Sequence, residues 1–170
     1  MAITQRNATL QGVVEKETVS GSAINWLTTT RNAAAGTVAT TITTNTFFTG
    51  MQVQYTFSKN LYVSTCNRTF LFFDLSSVGG TITAATLRVL AGTPGNTDDV
   101  QAVPSTAWGG DGTTTTLATG DYDGVEFLGT TGSDYGSILS WTASSYNDIT
   151  LTADAISDMN SDGYLNCALI

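Results

Sequence analysis

The run Phe70-Leu71-Phe72-Phe73 is apolar at every position, with Arg68-Thr69 before it and Asp74-Leu75-Ser76 after it. A stretch this short with no polar interruption predicts a strand covered on both faces, because an open face would put alternate side chains in water. Beyond Gly79-Gly80 the pattern changes, and Ala85, Leu87 and Val89 alternate with Thr86 and Arg88 as in a strand with one face buried. The segment from Arg68 to Leu90 therefore reads as two strands and a turn. The adjacent Ala84-Ala85 pair spoils the alternation and marks either a bulge or a strand start. Leu71, Phe73, Leu75, Ala85, Leu87 and Val89 are expected to be buried at the centre of the sheet, where a charge would unfold the chain.

The composition suits a β-rich domain. Only 12% of residues are charged, against about 25% in ordinary soluble domains, so the polar surface must come from Thr, Ser, Asn and Gly. Thr alone makes up close to a fifth of the chain. Such a β-branched, uncharged surface favours strands and suits proteins that pack against copies of themselves or sit outside a cell. With 170 residues, one domain can bury a self-sufficient core. The net charge is −8, and the six basic residues are scattered at Arg6, Lys16, Arg31, Lys59, Arg68 and Arg88, so no nucleic-acid partner is expected. No apolar run approaches membrane-spanning length, and no membrane partner is expected either. The start, Met1-Ala2-Ile3-Thr4-Gln5-Arg6-Asn7, lacks the parts of a secretory signal, so either a signal has been removed or the chain is made without one. The initial Met favours the second, which suits a protein assembled inside a cell and released by lysis. Cys66 and Cys167 either pair across a long loop or are two buried free thiols acting as small hydrophobes.

Along the chain, residues 1–20 read as an N-terminal arm or first strand, and residues 21–170 as a single β-sandwich domain. Val38 to Ile42 is a weak strand, and Gln52 to Phe57 alternates into a Lys59-Asn60 turn and Leu61-Tyr62-Val63, which predicts a hairpin. Val100 to Val103 is a short strand ending at Pro104, after which residues 104 to 140 are loop-dominated with a strand island at Val125 to Leu128. Residues 152–160 form the one convincing helix: Thr152 caps it, Asp154 sits at the positive end of its dipole, and Ala155, Ile156 and Met159 share a face. Gly163 ends that segment and Tyr164 to Ile170 resumes as a strand.

The pattern Arg68-x-x-Leu71-x-Phe73-Asp74-Leu75-Ser76, then glycine, then Ile82-x-x-Ala85-x-Leu87-x-Val89, resembles the DNRLRE-type β-sandwich module. A Val- and Tyr-containing strand before the signature, Trp108 after the following strand, and the later order of strand, short helix, glycine and strand are similar to that family as well. The resemblance implies a fold found in secreted carbohydrate-active proteins and in surface and phage-like structural proteins. The family usually continues into a final P-x-L-x-V strand that has no counterpart after Ile170. The sheet is therefore expected to have an open edge, completed either by a partner subunit or by further C-terminal sequence.

Few constellations carry chemistry. The absence of histidine removes Ser-His-Asp and Cys-His nucleophile systems and almost every catalytic zinc or iron site. The loop acids Asp98, Asp99, Asp111, Asp121, Asp123, Glu126 and Asp134 read as turn formers rather than as a glycosidase pair. Asp158, Asn160 and Asp162, with Gly163, match the first half of a calcium loop, so calcium is the one cofactor the sequence offers. Position twelve of that loop is Leu169 instead of Glu and the segment after Gly163 reads as a strand, so a bare turn is the expected reading, with no cofactor, and weak calcium binding is the alternative. Trp108, Tyr122, Tyr135, Trp141 and Tyr146 either plug the ends of the sandwich and its interfaces or form a stacking platform for glycans.

Taken together, the sequence predicts an all-β fold, an antiparallel β-sandwich of jelly-roll type with one short helix, and no enzymatic activity. The expected role is a structural subunit of a repetitive virion or extracellular assembly, whose partners are copies of itself or other virion or filament proteins. A carbohydrate-binding or adhesive module is the alternative.

Overall fold

The computed structural model describes residues 4–21, 27–41, 50–56, 61–90, 100–125, 134–138 and 142–170. Among them are nine strands and one α-helix: β1 (Leu10–Ser20), β2 (Val38–Thr41), β3 (Gly50–Thr56), β4 (Leu61–Asp74), β5 (Thr86–Leu90), β6 (Val100–Pro104), β7 (Gly136–Ile138), β8 (Tyr146–Thr150), α1 (Ala153–Asp162) and β9 (Tyr164–Leu169). Single helical turns cover Leu27–Arg31 and Thr119–Asp123. All strand pairs are antiparallel.

The strands form a seven-stranded sheet, in the order β2-β1-β4-β9-β6-β7 with β3 also on β4, and a two-stranded sheet of β5 and β8. At 14 residues, β4 is the spine of the larger sheet. One of its edges pairs with β1 from Leu10↔Phe72 to Ser20↔Tyr62. Its other edge is shared: β3 pairs with the first half up to Gly50↔Asn67, and β9 with the second half from Thr69↔Leu169. Arg68 stands at the junction between those two partners.

The residues of β4 alternate between two cores, which explains why Phe70 to Phe73 is apolar throughout. Leu71 packs with Leu165, Cys167 and Leu169 of β9, with Leu87, Val89 and Ile149 of the small sheet, and with Ala155 and Met159 of α1. Phe70 and Phe72 face the opposite way, into a core of Val14, Val103 and Ala168 roofed by Ala107, Trp108, Leu117, Tyr122 and Val125. The large sheet is thus covered on one side by the small sheet and helix, and on the other by the crossover of residues 105–125. The result is an all-β sandwich with sheets of unequal width.

The structure bears on three expectations. First, β4 and β5 do not share a sheet: they face each other across a core, Leu71 on one side and Leu87 and Val89 on the other. Those three residues are buried, whereas Phe73, Leu75 and Ala85 are only half-buried, since they lie at or beyond the strand ends, where the five-residue β5 no longer covers them. Second, β9 is an interior strand flanked by β4 and β6, and Ile170 continues its pairing through two backbone hydrogen bonds with Gln101, each 3.0 Å. The rim of the sheet therefore lies elsewhere among the described residues, at β2 on one side and β7 on the other. Third, Cys66 and Cys167 are free thiols in opposite cores, Cys167 buried with Leu71 and Cys66 half-buried beside Phe70 and Phe72.

The remaining elements follow the local chemistry. β5 begins directly after Ala84-Ala85, which is a strand start. β3 and β4 close a hairpin with Thr56 opposite Leu61, and the Lys59-Asn60 turn lies outside the described residues. Helix α1 is capped by the Thr152 side chain, which accepts from the Ala155 amide, and Gly163 ends it in the left-handed region at φ 75°, donating to the Met159 carbonyl.

Candidate functional site

Among the described residues the largest charged group in the interior is Arg68, 1% exposed. Its place on β4, opposite Val14, turns it toward the crossover side of the sheet. The guanidinium donates from Nη1 to the Tyr122 carbonyl and from Nη2 to the Arg31 carbonyl, and its Cζ lies 3.8 Å from the centre of the Tyr122 ring. The Tyr122 hydroxyl in turn donates to the Thr30 carbonyl at 2.8 Å. The Thr30 hydroxyl reaches Thr18 on β1 at 3.1 Å, and Thr18 donates to the Thr29 carbonyl at 3.1 Å. One cation therefore ties the turns at Leu27–Arg31 and Thr119–Asp123 to β1 and β4. Burial lowers the pKa of Arg68 and raises that of Tyr122, and each desolvation is offset in part by the Coulombic attraction between the guanidinium and the ionised phenol. This arrangement is a staple; it presents no nucleophile or base to solvent.

Beside it, Trp108 adopts φ 62° and is fully buried, with Gly109, Gly110 and Gly112 also at positive φ. Asn166 of β9 anchors this turn by donating to the Ala107 carbonyl at 2.6 Å and the Gly110 carbonyl at 2.9 Å. A Cβ on Gly112 would lie 2.5 Å from Phe72 Cζ, so the backbone has to sit directly on that ring.

The four described residues among the aromatics singled out from the sequence do not share one surface. Trp108 and Tyr122 lie under the crossover, and Tyr135 lies in the opposite core with its hydroxyl donating to Asp158 at 2.6 Å. Tyr146 is exposed on β8, and Trp141 lies outside the described residues. Core packing accounts for the three buried rings.

The calcium alternative draws no support from the geometry. Asp158, Asn160 and Asp162 belong to the last turns of α1, where residues two apart point to nearly opposite sides. Asp158 accepts from Tyr135, Asn160 bonds both the amide and the carbonyl of Ile82 at 2.8 and 2.9 Å, and Asp162 accepts from Ser161. The Asp158 and Asn160 bonds fasten the helix to Tyr135 and Ile82 on nearly opposite sides of it. Among the described residues, no group of three or more Cys, Asp or Glu could hold a metal. Of the described loop acids, Asp111 accepts from the Thr113 amide at 3.0 Å and Asp121 from the Ala118 amide at 2.7 Å, both within turns, whereas Asp134 accepts from the distant Gln101 side chain at 3.1 Å. Asp98, Asp99 and Glu126 lie outside the described residues.

The outward face of the small sheet is the feature that sequence reasoning missed. Its register sets Thr86 opposite Thr150, Arg88 opposite Asp148 and Leu90 opposite Tyr146. Arg88 donates from Nε and Nη2 to the two Asp148 oxygens, both at 2.7 Å, which lowers the carboxylate pKa and raises that of the guanidinium. Leu90 and Tyr146 are 59% and 63% exposed. The alternation of Asn147 and Ile149 with Tyr146, Asp148 and Thr150 was the available signal, and it marks β8 as half-buried.

Comparison with protein-family models, with curated proteins and with solved structures gives no match for this chain.

Proposed function

We propose that this chain is a non-enzymatic structural subunit of a repetitive assembly, either a virion surface protein such as a head decoration or fibre component, or a subunit of an extracellular filament. The observation that carries this reading is β2. Val38-Ala39-Thr40-Thr41 runs along the rim of the seven-stranded sheet, and among the described residues it pairs only with β1. Val38 is 50% exposed, and the strand contains no charge, proline or bulge of the kind that usually blunts an edge. A rim of this composition suits addition of a strand from another copy. The Thr-rich, sparsely charged composition supports the same reading. So does the resemblance to DNRLRE-type modules, which occur in surface and phage-like structural proteins.

The second reading is a carbohydrate-binding or adhesive module. The exposed Tyr146 ring beside the Arg88 and Asp148 pair favours it, because a flat ring flanked by paired polar groups suits a sugar face. Light scattering and electron microscopy of the purified chain over a range of concentrations separate the two. Rings, trimers or filaments are expected for a subunit. A chain that stays monomeric throughout and is retained on polysaccharide beads would sink the assembly reading in favour of the second.

A further inference from the structure

We infer that the outward face of the two-stranded sheet is a two-fold contact between copies of this chain. The inference rests on the assembly reading and deepens it, by naming a surface distinct from the β2 rim and the partner that fits it. Among the described residues the large hydrophobic side chains left exposed are Val19, Val38, Leu90 and Tyr146, and two of these four are a directly opposed cross-strand pair on this one face. Next to that pair lies the Arg88–Asp148 ion pair, whose side chains are 62% and 44% exposed, and beyond it Thr86 opposite Thr150. In a chain of net charge −8, most faces repel a second copy, but here Arg88 cancels Asp148 and the face is neutral.

The order of the pairs makes the face complementary to itself. A two-fold axis parallel to the strands lays β5 of one copy over β8 of the other. Arg88 then stands across from the second copy's Asp148, Leu90 across from its Tyr146, and Thr86 across from its Thr150, each contact occurring twice, as an isologous interface requires. The charged groups have the capacity for it. Within one copy Arg88 uses Nε and Nη2, which leaves Nη1 to donate to a second carboxylate, and each Asp148 oxygen has a further lone pair to accept with. Two copies stacked at the usual sheet separation of about 10 Å close these four groups into an alternating ring. Arg88 also lies 5.8 Å from the centre of the Tyr146 ring, an attraction that strengthens when a second copy excludes water.

Two opposite charge reversals test this by sedimentation velocity. Arg88→Asp gives a face with two carboxylates, and Asp148→Arg gives one with two guanidiniums. Each variant alone is expected to weaken self-association at least about tenfold, because like charges then face each other. An equimolar mixture of the two is expected to recover association as a heterodimer. The melting temperature of each variant is expected to fall by at most about 6 °C, since an exposed ion pair contributes little to stability and the like charges left opposed across the strands add a comparable cost. Should either reversal fail to fold, Leu90→Glu, which leaves the ion pair intact, is expected to weaken association to a similar extent. Undiminished association in the variants, or loss in both with no recovery on mixing, overturns this contact and leaves the assembly reading standing. A parent chain that is monomeric at every concentration overturns both.

Discussion

Arg68 holds together segments that are far apart in the chain. The carbonyls it binds are 37 and 54 residues away, at Arg31 and Tyr122. Its removal would leave two inward-facing carbonyls without their donor and a void against the Tyr122 ring, and leaving buried polar groups unpaired is costlier than losing the average hydrogen bond. Arg68→Ala is therefore expected to cost about 3 kcal/mol or more, which in a chain of this size lowers the melting temperature by roughly 10 °C. Arg68→Lys should recover little, because a single ammonium can neither reach both carbonyls as a fork nor stack on the ring. Tyr122→Phe keeps the ring and loses only the hydroxyl bond to Thr30, so about 1 kcal/mol is expected. Equal losses for Arg68→Ala and Tyr122→Phe in urea denaturation would contradict the staple. None of this was legible in the sequence, where Arg68 is one of six scattered cations, because backbone carbonyls leave no trace in residue identity. Cys167 makes a second prediction at this scale. Burial pushes its thiol up to about 12, from an ordinary 9.0. The unfolded thiol ionises first, so the contribution is fully present below pH 9 and is lost as pH rises toward 12, by up to about 1.4 kcal/mol per pH unit. Between pH 9 and 10, Cys167→Ala should therefore lose stability with pH less steeply than the parent, as followed by chemical denaturation at fixed pH values.

At the scale of elements, the sequence was most informative where local chemistry decides. Helix α1 was placed at residues 152–160 and spans Ala153–Asp162, because a capping Thr, an acid in the first turn, an apolar stripe and a terminal glycine all act within a few residues of one another. The same segment also carried the calcium alternative, since a metal-loop pattern and a helix C-terminus ending in glycine share their letters. Only the bonds to Tyr135 and Ile82 tell them apart. The loop-dominated stretch after Pro104 hid more. Its roofing role depends on Trp108, Leu117 and Tyr122 meeting Phe70 and Phe72 across the sheet, and no periodicity records such a contact. Two glycines separate the local from the tertiary contribution. Gly163 and Gly112 have nearly the same φ, 75° and 76°, but a Cβ on Gly163 meets nothing within 4 Å, whereas one on Gly112 strikes the Phe72 ring. Gly163→Ala is expected to cost about 1 kcal/mol, the conformational penalty alone. Gly112→Ala adds the displacement of a buried ring and should cost about 2–4 kcal/mol. Similar costs for the two in urea titrations would mean that the crossover does not press on the sheet as described.

For the whole molecule, the unusual feature is where the last strand goes. β9 spans Tyr164–Leu169 but enters the middle of the larger sheet, between β4, whose paired residues lie about a hundred positions earlier, and β6. Its side chains serve both cores: Leu165, Cys167 and Leu169 face the small sheet, while Ala168 faces the crossover and Asn166 holds the Trp108 turn. The sequence showed a strand here but could not place it, because strand order depends on long-range pairing, whereas alternation reports only which face is buried. Most of the described pairings are similarly non-local, so closing the sheet requires costly loop closure before the contacts that reward it can form. Two consequences follow from this topology. Refolding should be slow, with time constants from milliseconds to seconds, and should be limited by insertion of β9. Deleting residues 164–170 should abolish the cooperative transition altogether, because it unpairs an edge each of β4 and β6 and opens both cores at once. Deleting residues 4–8, which precede β1 and are mostly exposed, should leave a sharp melting transition. Circular dichroism and urea titration of the two truncations provide the check. A variant without residues 164–170 that still unfolds in one sharp step would show that β9 does not join the two halves of the larger sheet.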